Sequence, residues 1–192
     1  SLFNYSLEGS INYYNRKQSD LLGSYSVPVP PNVIANSYVN VGTMKNTGVE
    51  IDLRWNAVSS KDFDYTLGFI GSTSDNKFVS FSNQMYEGQK FYWMDGFPTY
   101  PGNPGSVQRI EEGERVGNFY TFRYAGVDDN GNWLIYNKDG EKIPVAQGND
   151  NDKCVVGNGL PKFTASLTNS FRYRNFDLTL YFRGAFGYQI YD

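Results

Sequence analysis

Apolar and polar residues trade places at every second position along several stretches of this chain, and a β-strand is the element that sorts such a pattern onto two faces. In the opening segment Phe3, Tyr5, Leu7, Ile11 and Tyr13 share one face with Gly9, while Asn4, Ser6, Glu8, Ser10 and Asn12 share the other. From Gly48 to Val58, the residues Val49, Ile51, Leu53, Trp55 and Ala57 oppose Glu50, Asp52, Arg54 and Asn56. A short Ser59-Ser60-Lys61-Asp62 turn leads to a third strand, with Phe63, Tyr65, Leu67 and Phe69 opposite Asp64, Thr66 and Gly68. These two strands form a hairpin. A second hairpin pairs Phe163–Tyr173 with a strand bearing Phe176, Leu178, Leu180 and Phe182, joined by the tight Arg174-Asn175 turn.

Long polar connections separate the strands, at Gln18–Val41, Ser72–Gly117 and Val127–Pro161. Structureless loops beyond ~15 residues are uncommon in compact soluble domains. Tight turns at one end and long loops at the other are what outer-membrane barrels show. Strand lengths agree, since ~9–11 tilted residues cross a bilayer. Aromatic residues also gather near strand ends: Tyr13, Trp55, Phe63, Tyr65, Tyr173 and Phe176. Alternation alone leaves two folds open. In a soluble β-sandwich the apolar face fills a core; in a wide barrel it meets lipid while the polar face lines a wet lumen. The asymmetric loops favour the barrel.

Parity gives a sharper expectation. If both tight turns lie on one side of the membrane, an even number of crossings separates Phe63–Phe69 from Phe163–Tyr173. One further candidate strand, Asn118–Tyr124, lies between them, so it is expected to be extracellular structure unless a partner crossing hides around Gln89–Asp95.

Composition removes other classes. The 192 residues contain 16 Tyr, 14 Phe and 20 Gly but no His, which takes away the usual general base and the commonest metal ligand. Cys154 is the single cysteine, so neither an internal disulfide nor a zinc cluster can form. A net charge of −3 without any Lys/Arg cluster speaks against a nucleic-acid partner. No run of 18 apolar residues exists, which excludes a transmembrane helix and leaves a β-barrel open. The chain starts and stops in mid-pattern and shows no signal segment at its start, so a piece of a longer protein is expected.

Three runs carry a family resemblance. Asn40-Val41-Gly42-Thr43-Met44-Lys45-Asn46-Thr47-Gly48-Val49-Glu50 enters the second strand. Gly117-Asn118-Phe119-Tyr120-Thr121-Phe122-Arg123-Tyr124-Ala125-Gly126-Val127 departs from the family pattern at Thr121, where Gly is usual. The most specific is Val156-Gly157-Asn158-Gly159-Leu160-Pro161-Lys162-Phe163, followed by Asn169-Ser170-Phe171, Asn175-Phe176-Asp177-Leu178 and Phe182-Arg183-Gly184. In this order they resemble SusC/RagA-type TonB-dependent outer-membrane transporters. The resemblance implies an all-β, antiparallel transmembrane barrel of ~22 strands with a plugged lumen and long extracellular loops. Residues 1–192 would be one partial barrel domain from its C-terminal half, with the plug, signal peptide and final strands lying elsewhere. It further implies an outer-membrane importer of glycan oligosaccharides or peptides, working with a SusD-like surface lipoprotein and with the TonB complex through the plug. No cofactor and no catalysis are implied.

Candidate contacts with substrate are the loop aromatics Tyr92, Trp93, Tyr100 and Trp133, whose faces can stack on sugar rings or anchor a protein. Packing of the loops themselves is the plainer reading. Asp128-Asp129-Asn130-Gly131-Asn132 and Asn137-Lys138-Asp139-Gly140-Glu141 invite a calcium reading. Against an EF-hand loop, Ile135 would hold the first ligand position and Ala146 the twelfth, so two Asx-Gly turns are expected and metal is not. Glu50, Asp52, Arg54, Asp64, Asp177 and Arg183 fall on polar strand faces, where alternation alone explains them and no catalytic pair is indicated. The Gly102–Gly105 stretch lacks the Lys-Ser/Thr of a phosphate loop and reads as a turn. Two other functions compete with transport: a soluble carbohydrate-binding β-sandwich of lectin type, and a glycan-degrading all-β enzyme.

Overall fold

The computed structural model describes residues 6–27, 29–81, 88–94 and 106–191, which divide between two compact units. Unit 1 comprises residues 1–18, 45–76 and 161–188; unit 2 comprises the remainder. The main sheet contains β1 (Leu7–Ser26), β2 (Asn36–Ser59), β3 (Phe63–Thr73), and, after a long excursion, β11 (Phe163–Tyr173) and β12 (Phe176–Phe186). The order is β1-β2-β3-β11-β12, with β4 (Asp75–Ser80) pairing β2 outside that path.

Register makes the alternation physical. Leu53 lies opposite Phe69, Phe69 opposite Leu167, and Leu167 opposite Phe182, so one apolar row crosses four strands. The polar face carries the complementary rows, such as Asn56, Thr66, Ser170 and Thr179, where the Thr66 hydroxyl donates to Asn56 Oδ1 (3.1 Å). Arg172 forms an ion pair with Asp64 on the same face. Asn169 is a polar residue in an apolar row, and its Oδ1 accepts the Tyr65 hydroxyl (2.8 Å), which removes one unmet acceptor. A bulge between Asn56 and Val58 corrects one face assignment, since Val58 and not Ala57 joins the apolar row opposite Tyr65.

The apolar rows are exposed at their ends and half-buried between: Phe176 is 78%, Leu178 54%, Phe182 57% and Leu53 37% accessible, whereas Phe69 and Leu167 are half-buried. No helix among the described residues is long and apolar enough to cross a membrane, which says nothing of strands.

The parity expectation resolves directly. β3 and β11 are neighbours from Phe63↔Tyr173 to Thr73↔Phe163, so no crossing intervenes between them. The two tight turns lie at the same end of the sheet, where Arg174 N donates to Asp62 O (2.9 Å). Arg174 adopts the left-handed region (φ 52), as the two-residue turn demands. The candidate strand Asn118–Tyr124 belongs to β7 (Asn118–Val127), in a separate sheet with β8 (Trp133–Tyr136), β9 (Lys142–Pro144) and β10 (Lys153–Asn158), ordered β10-β7-β8-β9. The alternative crossing near Gln89 is a three-residue strand, β5 (Phe91–Trp93), paired with β6 (Arg109–Glu111).

The three connections expected to lack structure are therefore partly strand. β1 and β2 run on to Ser26 and back from Asn36, which shortens the first connection to residues 27–35. Period-two contrast arises where one strand face meets apolar surroundings and the other water. Where both faces are polar or irregularly packed it has no cause, although main-chain pairing continues.

Two family motifs owe their form to close approach. A Cβ on Gly48 would stand 2.1 Å from Thr73 O and 2.5 Å from the Tyr14 hydroxyl, so only glycine fits there. In unit 2, buried Asn158 ties β10 to β7: its Nδ2 donates to Asn118 Oδ1 (2.7 Å) and to Val116 O (3.1 Å), while its Oδ1 accepts Leu160 N (2.8 Å).

Candidate functional site: an apolar cleft in unit 2

The apolar centre of unit 2 grows from three short segments. β4 turns Phe78 inward, Phe81 follows it with the two rings stacked at 4.1 Å, and Ile110 of β6 completes the buried cluster, with Met44 and Val116 packed against it. β5 lies beside this cluster and sends its side chains two ways, as a strand must. Tyr92, opposite Ile110, meets the Phe81 ring edge-on at 5.4 Å. Phe91 and Trp93 go to the other face, where the Arg109 guanidinium lies 4.5 Å from the Phe91 centroid, 5.7 Å from Trp93 and 3.4 Å from Tyr120. Arg109 also pairs with Glu111, so its charge is met by one carboxylate and three ring faces.

Next to the cluster is a cleft of about 850 Å³, within the size range of small-molecule sites. Its wall is mostly aromatic and aliphatic, including Leu22, Met44, Phe81, Tyr92, Trp93 and Met94. Ser24, Ser26, Asn36 and Gln89 are its polar residues, and no charged side chain lines it among the described residues. Asn36 Oδ1 accepts the Ser26 hydroxyl and Gln89 Oε1 accepts Ser26 N, both at 3.3 Å. Burial pushes the Tyr92 phenol above its ordinary pKa, because the phenolate is poorly solvated there. Such a wall can hold an apolar or aromatic group; among the described residues it carries no carboxylate, Lys, Arg or Cys.

Of the four aromatics singled out from sequence, the structure brings Tyr92 and Trp93 to this cleft. Trp133 lies on the β7–β8 pair, 67% exposed, its ring edge-on to Tyr124 (62% exposed) at 6.3 Å. Tyr100 and the Gly102–Gly105 turn fall outside the described residues. Sequence reasoning missed Leu22, Met44 and Phe81. All three lie in stretches without clear alternation, and only the strand pairing of β1, β2 and β4 reveals their shared location.

The Asp/Asn clusters are turns. Asp128 Oδ1 accepts N–H groups of Asn130 (2.9 Å) and Asn132 (2.8 Å), and Oδ2 accepts the Asn132 amide (2.9 Å). Asn137 repeats the arrangement with Asp139 N (3.0 Å) and Glu141 N (2.8 Å), while Gly131 and Gly140 take the left-handed conformation (both φ 84). The Asn132 side chain, with the backbone donors, holds the Asp128 carboxyl below the usual range. Asp152 is held low by N–H groups of Asn149 and Lys138. These oxygens are already engaged, and no group of three or more metal-ligating side chains exists among the described residues.

Comparison with known proteins agrees with the fold. No protein-family model matches the chain. TonB-dependent receptor P3 of Formosa agariphila is 30% identical over 205 residues, covering 99% of this chain and 20% of that protein. TonB-dependent receptor SusC of Bacteroides thetaiotaomicron is 26% identical over 185 residues, covering 96% of this chain and 18% of that protein. The structure of the RagAB peptide importer in its open-open state superposes with a TM-score of 0.78 at 22% identity, over 97% of this chain and 19% of that one. The chain thus spans about one fifth of the relatives it matches, which are receptors and an importer rather than enzymes.

Proposed function

Taking this chain as a segment of a SusC/RagA-type TonB-dependent receptor, we propose that it forms part of the barrel wall of an outer-membrane importer of oligosaccharides or peptides. The observation that carries this reading is the pair of unlike faces on the main sheet. Its apolar row runs from Leu53 through Phe69 and Leu167 to Phe182, exposed at both ends and half-buried between, an apolar stretch that a soluble protein would bury. Hydrocarbon is the surrounding that makes such rows favourable, at roughly 25 cal/mol per Å² of apolar surface removed from water. The polar rows then face a wet interior, where Asp64 and Arg172 are tolerated.

The tight turns at Ser60–Asp62 and Arg174-Asn175 sit on the periplasmic side in this reading, and the long connections on the extracellular side. Cargo is received there with a SusD-like lipoprotein and released inward when TonB acts on the plug, both through parts of the receptor beyond this chain. Tyr92, Trp93 and Trp133 are proposed to contact cargo or lid; Tyr100 keeps the role proposed from sequence. No chemistry is assigned to the segment.

Uptake tests this. Cells lacking the full-length receptor should lose import of one oligosaccharide or peptide class, and inactivation of TonB should reproduce the loss. Unchanged import of both classes in the deletion strain would remove the transport reading.

A further inference from the structure

We propose that a groove on the apolar face of the main sheet seats one acyl chain of an anionic phospholipid, whose phosphate is met by Lys61 and Arg174. This rests on the barrel-wall reading and adds a specific lipid site to it.

Leu53 lies opposite Phe69 and Trp55 opposite Leu67, so four side chains of β2 and β3 project together from two rungs of the sheet. With Ser6 and Leu7, where β1 begins, they line a groove of about 570 Å³ that carries no charged side chain among the described residues. Asn56 N donates to Ser6 O (2.8 Å), which fixes that corner beside β2. Gly9 shapes the surface next to it. A Cβ there would stand 2.5 Å from Leu53 Cδ2, so the missing side chain lets Leu53 lie towards β1. A groove left empty forfeits dispersion contacts, and a flexible hydrocarbon chain can follow its floor where a rigid group cannot.

The turn end of the sheet supplies the charge. Phe63, Tyr173 and Phe176 share one rung beside the tight turns, as an aromatic girdle at headgroup level would. Arg174 follows directly, its guanidinium 5.4 Å from the centroid of Tyr173. Its Nε is 3.8 Å from Asp62 Oδ1, a single long contact that leaves a five-donor fork able to grip a phosphate. Lys61 is exposed in the neighbouring turn, so the two turns carry two cations against one carboxylate, Asp62. Clusters of this sign at headgroup level recognise anionic lipids. Trp55 stands four residues before Ser59, the last residue of β2. At ~3.3 Å per residue and a tilt near 40°, the groove begins about 10 Å from the turns, within the ~15 Å that one leaflet spans. A lipid held by its phosphate at the turns therefore has its chain at the groove.

The test titrates full-length receptor in detergent with phosphatidylglycerol or phosphatidylcholine, each brominated on its acyl chains. Bromine quenches indole fluorescence on contact, and the difference between the receptor and its Trp55→Phe variant isolates Trp55. Expected is half-quenching of Trp55 at an at least fivefold lower mole fraction of phosphatidylglycerol than of phosphatidylcholine. Lys61→Gln combined with Arg174→Asn should abolish that preference, asparagine being tolerant of the left-handed backbone at position 174 (φ 52). Lys61→Arg combined with Arg174→Lys should keep it. The comparison of the two lipids needs no change in the turns, so it decides the matter even where a turn variant fails to assemble. Equal quenching by the two lipids, or a preference that survives loss of both cations, would overturn the proposal and leave the lipid-facing wall in place. Trp55 quenched by neither lipid would overturn the proposal and the face assignment together.

Discussion

Arginine placed at Leu180 should damage assembly of the full-length receptor far more than arginine at Thr179. The two positions are adjacent on β12 and differ in face: Leu180 lies opposite Asn169 in an apolar row, Thr179 opposite Ser170 in a polar one. Leu180 is four residues from Phe176, the first residue after the tight turn. At ~3.3 Å per residue and a tilt near 40°, that places it about 10 Å into an apolar band ~25 Å tall, close to its middle. Arginine on the lipid face at that depth costs about 2–4 kcal/mol, a factor of roughly 30 to 1,000 in the folding equilibrium. Thr179→Arg adds a charge to a face that already carries Arg183 and should cost well under 1 kcal/mol. The assay is urea-dependent refolding into lipid vesicles, read by the heat-sensitive gel shift of folded barrels. Equal midpoints for the two variants would refute the face assignment, and a larger loss for Thr179→Arg would reverse it.

Other outcomes follow from particular contacts. Gly48→Val should block pairing at Thr73 and abolish assembly, whereas Gly23→Ala, with open space around its would-be Cβ, should be silent in the same gel-shift assay. Asn158→Leu strands Asn118 Oδ1, Val116 O and Leu160 N, and at about 1–3 kcal/mol for each buried unsatisfied group it should open the β7–β10 pair, seen as lost hydrogen-exchange protection in residues 118–122. Asp128 and Asp152 have folded pKa values below their unfolded ones. Their stabilisation is therefore full above the unfolded value, ~3.9, and disappears as pH falls through the lowered folded values. Exchange protection of the 128–132 turn, corrected for intrinsic rates, should thus fall only in acid, and Asp128→Asn should remove much of that dependence. Chelation with EGTA should leave the same protection unchanged; a loss would mean that calcium, and not the Asx turn, holds the segment.

The two hairpins were legible because each strand face there meets a different surrounding, which writes period two into Val49–Trp55 and Phe176–Phe182. Parity left either no crossing or two between them, and the direct β3–β11 pairing leaves none. The far ends of β1 and β2 were not legible. Gly23, Ser24, Tyr25 and Ser26 show no alternation, and what holds them in strand is main-chain pairing, to which sequence pattern is blind. The same limit hid the cleft. Tyr92 and Trp93 stood out as large aromatics, while Leu22 and Met44 meet there because two strands fold back on each other. The bulge before Val58 is a smaller case, since a one-residue insertion moves a face without changing composition. The Asp-Asn-Gly runs were read correctly as turns because the left-handed positions they need fall on Gly131 and Gly140.

In the proposed arrangement one face of this sheet touches lipid and the other water. Single spin labels placed in turn at residues 177 to 183 of the full-length receptor, in bilayers, test it through collision rates with oxygen and with a water-soluble nickel chelate. The account predicts oxygen contact peaking at 178, 180 and 182 and nickel contact peaking at 177, 179, 181 and 183. Rates without alternation, or with the two sets exchanged, would contradict it.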